Sequence, residues 1–485
     1  MSKTFYITTT LPYVNADPHI GFALEIIQAD TIARYKRLLG YEVFFNFGTD
    51  EHGQKVLKAA EKKGLNPQEY TDKLAPKFDA LKVALNLSYD NFIRTTDTHH
   101  LTSSQHIWKL ADKNGDIYKK KYKGLYCVSC ERFIKDSELQ NNRCPEHLNK
   151  DLEEVEEENY FFKFSKYQGK LLEYLNNPKV ITPEWRRKEA INFVKGGLED
   201  FPVSRLKSRM SWGIPVPDDD EHVMYVWFDA LTNYISTLGW PEDKEGNFKK
   251  FWQEGETLQF AGKDQVRFQS LMWQAMLISA GIKNTDKVFY HGFINIRGEK
   301  ISKSTGNIID PYKIVEEFGT DSLRYYLLAQ VSPVDDSDFT LEHFKETYNA
   351  NLANGLGNLV SRVMKMSENY IDITTIQTEI GFYDFKQVIE NNPSFKNSVD
   401  GFRLNDAMGI IWKEISFGDE MIQNQKPFEL IKTNPKQAKE ILLDLRQRIW
   451  RIATMLEPFM PNTSSQIKDC IQNNKFPDKP LFIRK

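Results

Sequence analysis

Three groups of residues have types and spacings that could do chemistry. The first is Cys127-x2-Cys130, then thirteen residues, then Cys144-x2-His147. Paired x2 spacing is what a knuckle turn requires, and three thiolates with one imidazole make a closed tetrahedral set suited to one structural zinc. Cys470 is left over as a free thiol. The second group is Pro18-His19-Ile20-Gly21-Phe22, where an apolar strand gives way to a helix. Helix-start amides point outward there and favour an anion such as phosphate. The third is Lys300-Ile301-Ser302-Lys303-Ser304 in the polar stretch RGEKISKSTGN. Two ammonium groups on one loop could meet the charge that builds on a departing pyrophosphate. Each of the last two has a plain alternative: a histidine at a helix start is often only a cap, and a lysine loop is often only solvated.

These groups need a frame. FYITTT followed by an apolar-periodic stretch from about Ile20 to Leu39, stopped by Gly40, reads as strand then helix. EVFFNF is a near-continuous apolar run, as in a parallel strand covered on both faces, completing a βαβ unit. Strand-then-helix patterns return at HVMYVWF with DALTNYISTL, and at LQFAG with the stretch from about Gln265 to Ala280. The expected fold class is therefore α/β, with a split parallel sheet. Between its halves, residues 118–214 carry the cysteines, the basic run KKKYK and the acidic run DLEEVEEE, and read as an inserted domain. The acidic run reads as a solvated face. Beyond about residue 345 strand signals fade and helical periodicity continues.

Bulk properties agree with several domains, since 485 residues at 40% hydrophobic composition are too many for one core. A net charge of -3 excludes a globally basic nucleic-acid binder and leaves only local patches. One such patch is 426–485, with 12 Lys or Arg against 6 Asp or Glu. The start of the chain has no apolar signal-peptide core, and no run of 18 apolar residues occurs, so a cytoplasmic protein with no membrane partner is expected.

In this order, about 280 residues apart, the second and third groups resemble the HIGH and KMSKS signatures of class I aminoacyl-tRNA synthetases. TTLPYVNADPHIG, GTDEHG, YCVSCERF, SWGIPVP, YVWFDALTNY, GKD and KISKSTGN together resemble the methionyl-tRNA synthetases across nearly the whole chain. The resemblance implies a Rossmann-type catalytic domain in two halves (1–117 and 215–299) and a zinc-bearing connective insertion (118–214). It further implies a KMSKS loop with a stem-contact region (300–345) and an α-helical anticodon-binding domain (346–485). The implied activity is ATP-dependent activation of L-methionine and its transfer to tRNA(Met), with Mg2+ accompanying ATP. A further C-terminal dimerisation domain found in some relatives is missing from this sequence, which points to a monomer.

By the same resemblance, Asp50 takes the methionine ammonium, and Leu11, Tyr13, Trp227, Ala230, Leu231, Tyr234 and His291 line the thioether. A polarizable sulfur suits such an aromatic lining. His19 and Lys303 contact the ATP phosphates, with Gly21 beside them and Lys300 in support. Gly262 and Asp264 hold the ribose, and Glu25 approaches the adenosine. Asn358 and Arg362 read the anticodon, together with Phe428 in place of the family's stacking Trp. A second departure is Phe22, where the family's signature has a second histidine. Other readings stay open: a synthetase for another amino acid, a tRNA-binding relative that has lost catalysis, or a small-molecule nucleotidyltransferase. The insertion of about 95 residues is too small for the editing domain of the branched-chain synthetases.

Overall fold

The computed structural model describes residues 3–134, 136–145, 147–300, 308–372 and 382–485. Along the chain come β1 (Thr4–Thr8), α1 (Ile20–Leu38), β2 (Glu42–Thr49), α2 (Gln54–Lys62), α3 (Pro67–Asp79), α4 (Leu81–Ala84), β3 (Asn91–Arg94) and α5 (Thr98–Lys113). The next stretch holds β4 (Ile117–Cys127), β5 (Arg132–Ile134), β6 (Glu153–Phe162), α6 (Gln168–Asn176), β7 (Ile181–Thr182), α7 (Glu184–Lys195), β8 (Phe201–Pro202), β9 (Ser204–Leu206), β10 (Pro215–Val216) and β11 (Asp219–Met224). Then follow α8 (Val226–Ala230), α9 (Asn233–Ser236), β12 (Glu256–Gly262), α10 (Trp273–Ala280) and β13 (Lys287–His291).

The chain divides into two compact units. The first comprises Met1–Pro18, Glu42–Lys82 and Tyr89–His291. Its main sheet has six strands in the order β3-β2-β1-β12-β13-β7, and every pairing in it is parallel. Such a sheet is covered on both faces; β2 accordingly buries Val43, Phe45 and Phe47. Tyr6, Phe162, Trp252, Trp273 and Tyr290 share one hydrophobic core in this unit. The strand that sequence periodicity placed at HVMYVWF ends at Met224 and is antiparallel to β9 and β10, and a helix begins at Val226. This half of the chain gives the parallel sheet β12, at the expected LQFAG, and β13 instead. Within 118–214, β4 and β6 form a long antiparallel ladder in which Lys121 lies opposite Glu158 and Lys123 opposite Glu156. The basic and acidic runs are thus two strands of one ribbon, neutralising each other across it.

The second unit comprises His19–Tyr41, Val83–Ser88 and Gly292–Lys485. It contains α1, the short strands β14 (Ile294–Ile296) and β15 (Glu299–Lys300), α11 (Pro311–Phe318), α12 (Thr320–Ala329), β16 (Ser337–Asp338), α13 (Leu341–Thr347) and α14 (Asn358–Tyr370). From Phe385 to Gln472 its described elements are all helical. Helix α1 is capped by His19, carries Lys36 and Arg37 in its last turn, and is followed by Gly40 at φ +86°. Its Asp30 is fully buried and meets Arg324 of α12 at 2.8 Å and Arg34 at 2.8 Å, while the Ser88 hydroxyl donates to it at 2.6 Å. Arg324 also donates to the carbonyls of Phe459, Pro458 and Leu85, so both partners of this buried pair are satisfied. Among the described residues no helix is long and apolar enough to cross a membrane.

Candidate active site and metal centre

In the first unit, the loop after β1 and the loop after β2 lie side by side: Tyr13 bridges Asp50, Val14 N donates to Asp50 O at 3.0 Å, and Asp50 N donates to Pro12 O at 3.0 Å. Asp50 is 2% exposed, and its Oδ1 has no hydrogen-bond partner among the described residues. Burial, then the carboxylates of Asp229 and Glu131, push its pKa well above the ordinary carboxylate range, against a smaller pull from the His52 amide and Lys55. A cation placed beside Asp50 would reverse this.

Aromatic rings adjoin Asp50 through Tyr13. Trp227 of α8 meets Tyr13 edge-on at 6.2 Å and stacks on Phe268 at 3.9 Å. The Tyr13 hydroxyl and the Trp227 ring N–H are both buried without a partner among the described residues. Leu231 and Tyr234 belong to the same apolar cluster, against which Tyr13 and Trp227 pack. Ala230 closes α8, and Leu11 is half-buried in the loop after β1. His291, the last residue of β13, is paired in register with Gly262, the last residue of β12, and Asp264 follows in a short 3-10 turn. Leu11, Tyr13, Asp50, Gly262, Asp264 and His291 stand at the carboxyl ends of parallel strands or in the segments that follow, where open α/β sheets bind ligands, whereas Trp227, Ala230, Leu231 and Tyr234 come from the helical segment that follows the antiparallel β11.

Sequence reasoning missed a buried chain beneath this wall. His52 Nδ1 lies 2.7 Å from Asp229 Oδ2, His100 Nε2 lies 2.8 Å from Asp229 Oδ1, and His100 Nδ1 lies 2.9 Å from Ser236 Oγ. Burial raises the Asp229 carboxyl, but His52 and His100 outweigh it and hold the group below the ordinary range. Asp229 therefore stays charged and contributes to the field on Asp50. His52 stands in GTDEHG and Asp229 in YVWFDALTNY, so the motifs contained the signal, whereas nothing local marks His100.

In the second unit, His19 is the N-cap of α1, and its Nδ1 accepts from Gly21 N at 3.1 Å. The ring proton is thereby fixed on Nε2, which becomes a donor. Phe22 stacks on the His19 ring at 4.1 Å, so the departure from the signature is itself part of how this histidine is held. Glu25 is buried on the same helix. Lys300 ends β15, and only its backbone is described; Lys303 lies outside the described residues. Asn358 and Arg362 are one turn apart on α14, Arg362 lies 3.4 Å from Asp419, and Phe428 is 47% exposed.

Cys127, Cys130, Cys144 and His147 come together at the end of β4, with all four ligand atoms within 4.8 Å of one another. Cys130 Sγ lies 3.4 Å from Cys144 Sγ and 3.1 Å from His147 Nδ1. A tetrahedral site with bonds of about 2.3 Å to sulfur separates its sulfurs by about 3.8 Å, so the set fits a metal with little adjustment. A hydrogen bond from Cys130, then His147 and Cys144, draw the Cys127 thiol down to about 3 against burial, which raises it. That downward direction is the one metal binding requires.

A parallel sheet with a buried, unpartnered carboxylate beside aromatic rings at its carboxyl ends, a capping histidine at the first helix and a Cys/His knuckle in the insertion fit the parts of a class I tRNA synthetase. Residues 5–364 match the family model for tRNA synthetases class I (M). The chain is 41% identical to the methionine–tRNA ligase of Thermotoga maritima over 98% of its length and 76% of that relative. It is 40% identical to that of Fusobacterium nucleatum over 99% of its length and 77% of the relative. Mycobacterium tuberculosis methionyl-tRNA synthetase in complex with methionyl-adenylate superposes with a TM-score of 0.88 at 36% identity, covering 96% of this chain and 93% of that one. The chain belongs to the methionyl-tRNA synthetase family.

Proposed function

We propose that this chain is a methionine–tRNA ligase that activates L-methionine with ATP to methionyl-adenylate and transfers the methionyl group to tRNA(Met). The observation that carries the reading is Asp50: a buried carboxylate with an unpartnered oxygen, disfavoured by its neighbours, at the carboxyl end of a parallel strand and beside an aromatic wall. A methionine ammonium supplies the cation it lacks, while the thioether packs on Tyr13 and Trp227 with Leu11, Ala230, Leu231, Tyr234 and His291. The methionine carboxylate is already a nucleophile; it attacks the α-phosphate, and magnesium-bound pyrophosphate leaves. His19 with Gly21, Lys300 and Lys303 meet the phosphates, Glu25 the adenosine, and Gly262 and Asp264 the ribose. A terminal-adenosine hydroxyl of the tRNA then takes the methionyl group and AMP departs. The helical region 346–485 reads the anticodon through Asn358, Arg362 and Phe428. One zinc fills the Cys127, Cys130, Cys144 and His147 set, and the enzyme works as a cytoplasmic monomer.

Pyrophosphate exchange across the twenty amino acids tests the activity: methionine alone should support fast exchange, and fast exchange with a different amino acid, or none at all, would reject the reading. Elemental analysis of protein purified without chelator should find one zinc per chain. Apparent energies for such sites are on the order of 10 kcal/mol, so stripping the metal should unfold the knuckle.

A further inference from the structure

We infer that Glu131 is a positioning residue for the amino-acid pocket, holding its three walls together by capping α2 from outside the helix. The inference rests on the reading that Asp50 and its neighbours bind methionine.

Glu131 follows Cys130 directly, is fully buried, and adopts φ +54°, a left-handed backbone that a residue with a side chain rarely takes. Such a conformation persists only where its surroundings fix it. Its Oε1 accepts from Lys55 N at 2.7 Å. The N-cap of α2 is Gly53, which has no side chain to satisfy the free amides of the first turn. Glu131 does so from 78 residues further along the chain, placing an acceptor at the positive end of the helix even though burial raises its carboxyl above the ordinary range. Gly53 makes the room: at φ +97°, a Cβ there would lie 2.7 and 2.9 Å from the two carboxylate oxygens.

Each wall of the pocket is reached from this one residue. The capped turn continues directly from Asp50. Lys55, whose amide Glu131 holds, extends its ammonium 4.2 Å over the Tyr13 ring. At the other end of Glu131, its carbonyl accepts from the Tyr225 hydroxyl, and Tyr225 is the N-cap of α8, which carries Trp227 and Asp229. Asp50, Tyr13 and Trp227 are thus referred to a single buried side chain and carbonyl. The chemistry requires an acceptor at Oε1 and does not require a proton to move there.

The test compares Glu131→Ala, Glu131→Gln and Glu131→Asp with wild type, measuring exchange kinetics for methionine and ATP, methionine binding by calorimetry, and zinc content. Glu131→Ala should raise the methionine KM and Kd by about tenfold, the order expected when a buried backbone donor loses its acceptor. Its kcat and ATP KM should stay within about threefold. Glu131→Gln keeps an acceptor for Lys55 N and should restore methionine affinity to within about threefold of wild type. Glu131→Asp retracts the carboxylate by one methylene and should fall between them, which keeps the inference testable if the alanine variant does not fold. Unchanged methionine affinity in Glu131→Ala, a uniform loss of kcat and both KM values, or a Gln variant as weak as Ala would overturn it. Absence of methionine-dependent exchange in the wild type would instead reject the underlying assignment of function.

Discussion

Two aspartates, one in each unit, are both removed from water and have opposite fates. Asp30, in the second unit, faces Arg324, Arg34 and the Ser88 hydroxyl; burial raises its pKa, but these partners carry it below the ordinary range. Asp50, in the first, faces two further carboxylates and is pushed the other way. A buried charge is costly unless paired, so the first arrangement closes the fold and the second leaves a cost that a cation beside Asp50 would relieve. The contrast separates a paired acid from an unpaired one using neighbours alone, and under the proposed function the unpaired one is the acid that a methionine ammonium would meet.

The largest effect should come from breaking the closed pair. Arg324→Met leaves Asp30 buried and unpaired, which costs about 3–5 kcal/mol; a denaturant titration should show this fall, and Asp30→Leu in the same chain should recover much of it. Methionine affinity of the folded fraction should not change. If Arg324→Met is as stable as wild type, the pair does not hold the second unit together.

Cations offer the same contrast. Lys303→Ala should leave the unfolding midpoint alone and slow activation by about 10²- to 10³-fold, the usual loss of one preorganised donor to a developing charge. Single-turnover adenylate formation reads this directly, and a normal rate would mean that the lysine loop is misassigned.

A smaller effect concerns the pH dependence of stability. The folded-state pKa of Asp50 is raised above its unfolded value of about 3.9. Between the two values the folded state holds more protons than the unfolded one, so this group makes stability fall as pH rises through that window. Asp50→Asn should therefore raise the neutral-pH melting temperature and flatten this slope; a lower melting temperature would contradict the electrostatic account. Smallest of all is Phe22→His, which should change the exchange rate by only a few-fold, because His19 keeps its Gly21 hydrogen bond, whereas His19→Ala should be severe.

Much of this was legible in the sequence where the signal is local. The first strand, helix and second strand follow from apolar periodicity with Gly40 as a stop, and the knuckle from ligand spacing. The helical C-terminal region follows from the loss of strand signals after residue 345. What could not be read was set by partners distant in sequence. β7 is two residues long and is a strand only because β13 lies beside it. HVMYVWF alternates like a strand, yet its second half starts α8. His100 joins Asp229 from 129 residues away, and Glu131 looks from sequence like one more charge beside a cysteine. The motif resemblance singled out Asp50; only the neighbouring carboxylates show that its charged form is disfavoured where it stands.

Methionine binding followed by calorimetry across pH, on wild type and Asp50→Asn, bears most directly on this. An ammonium arriving beside a carboxylate of raised pKa favours its charged form, so wild-type binding should release protons and tighten as pH rises above the ordinary carboxylate range. Asp50→Asn should lose the proton release and bind about 10²- to 10³-fold more weakly, the scale of truncating one partner of a buried charge pair. An Asp50→Asn protein that binds methionine with wild-type affinity and the same proton release would contradict the assignment of Asp50 as the anchor.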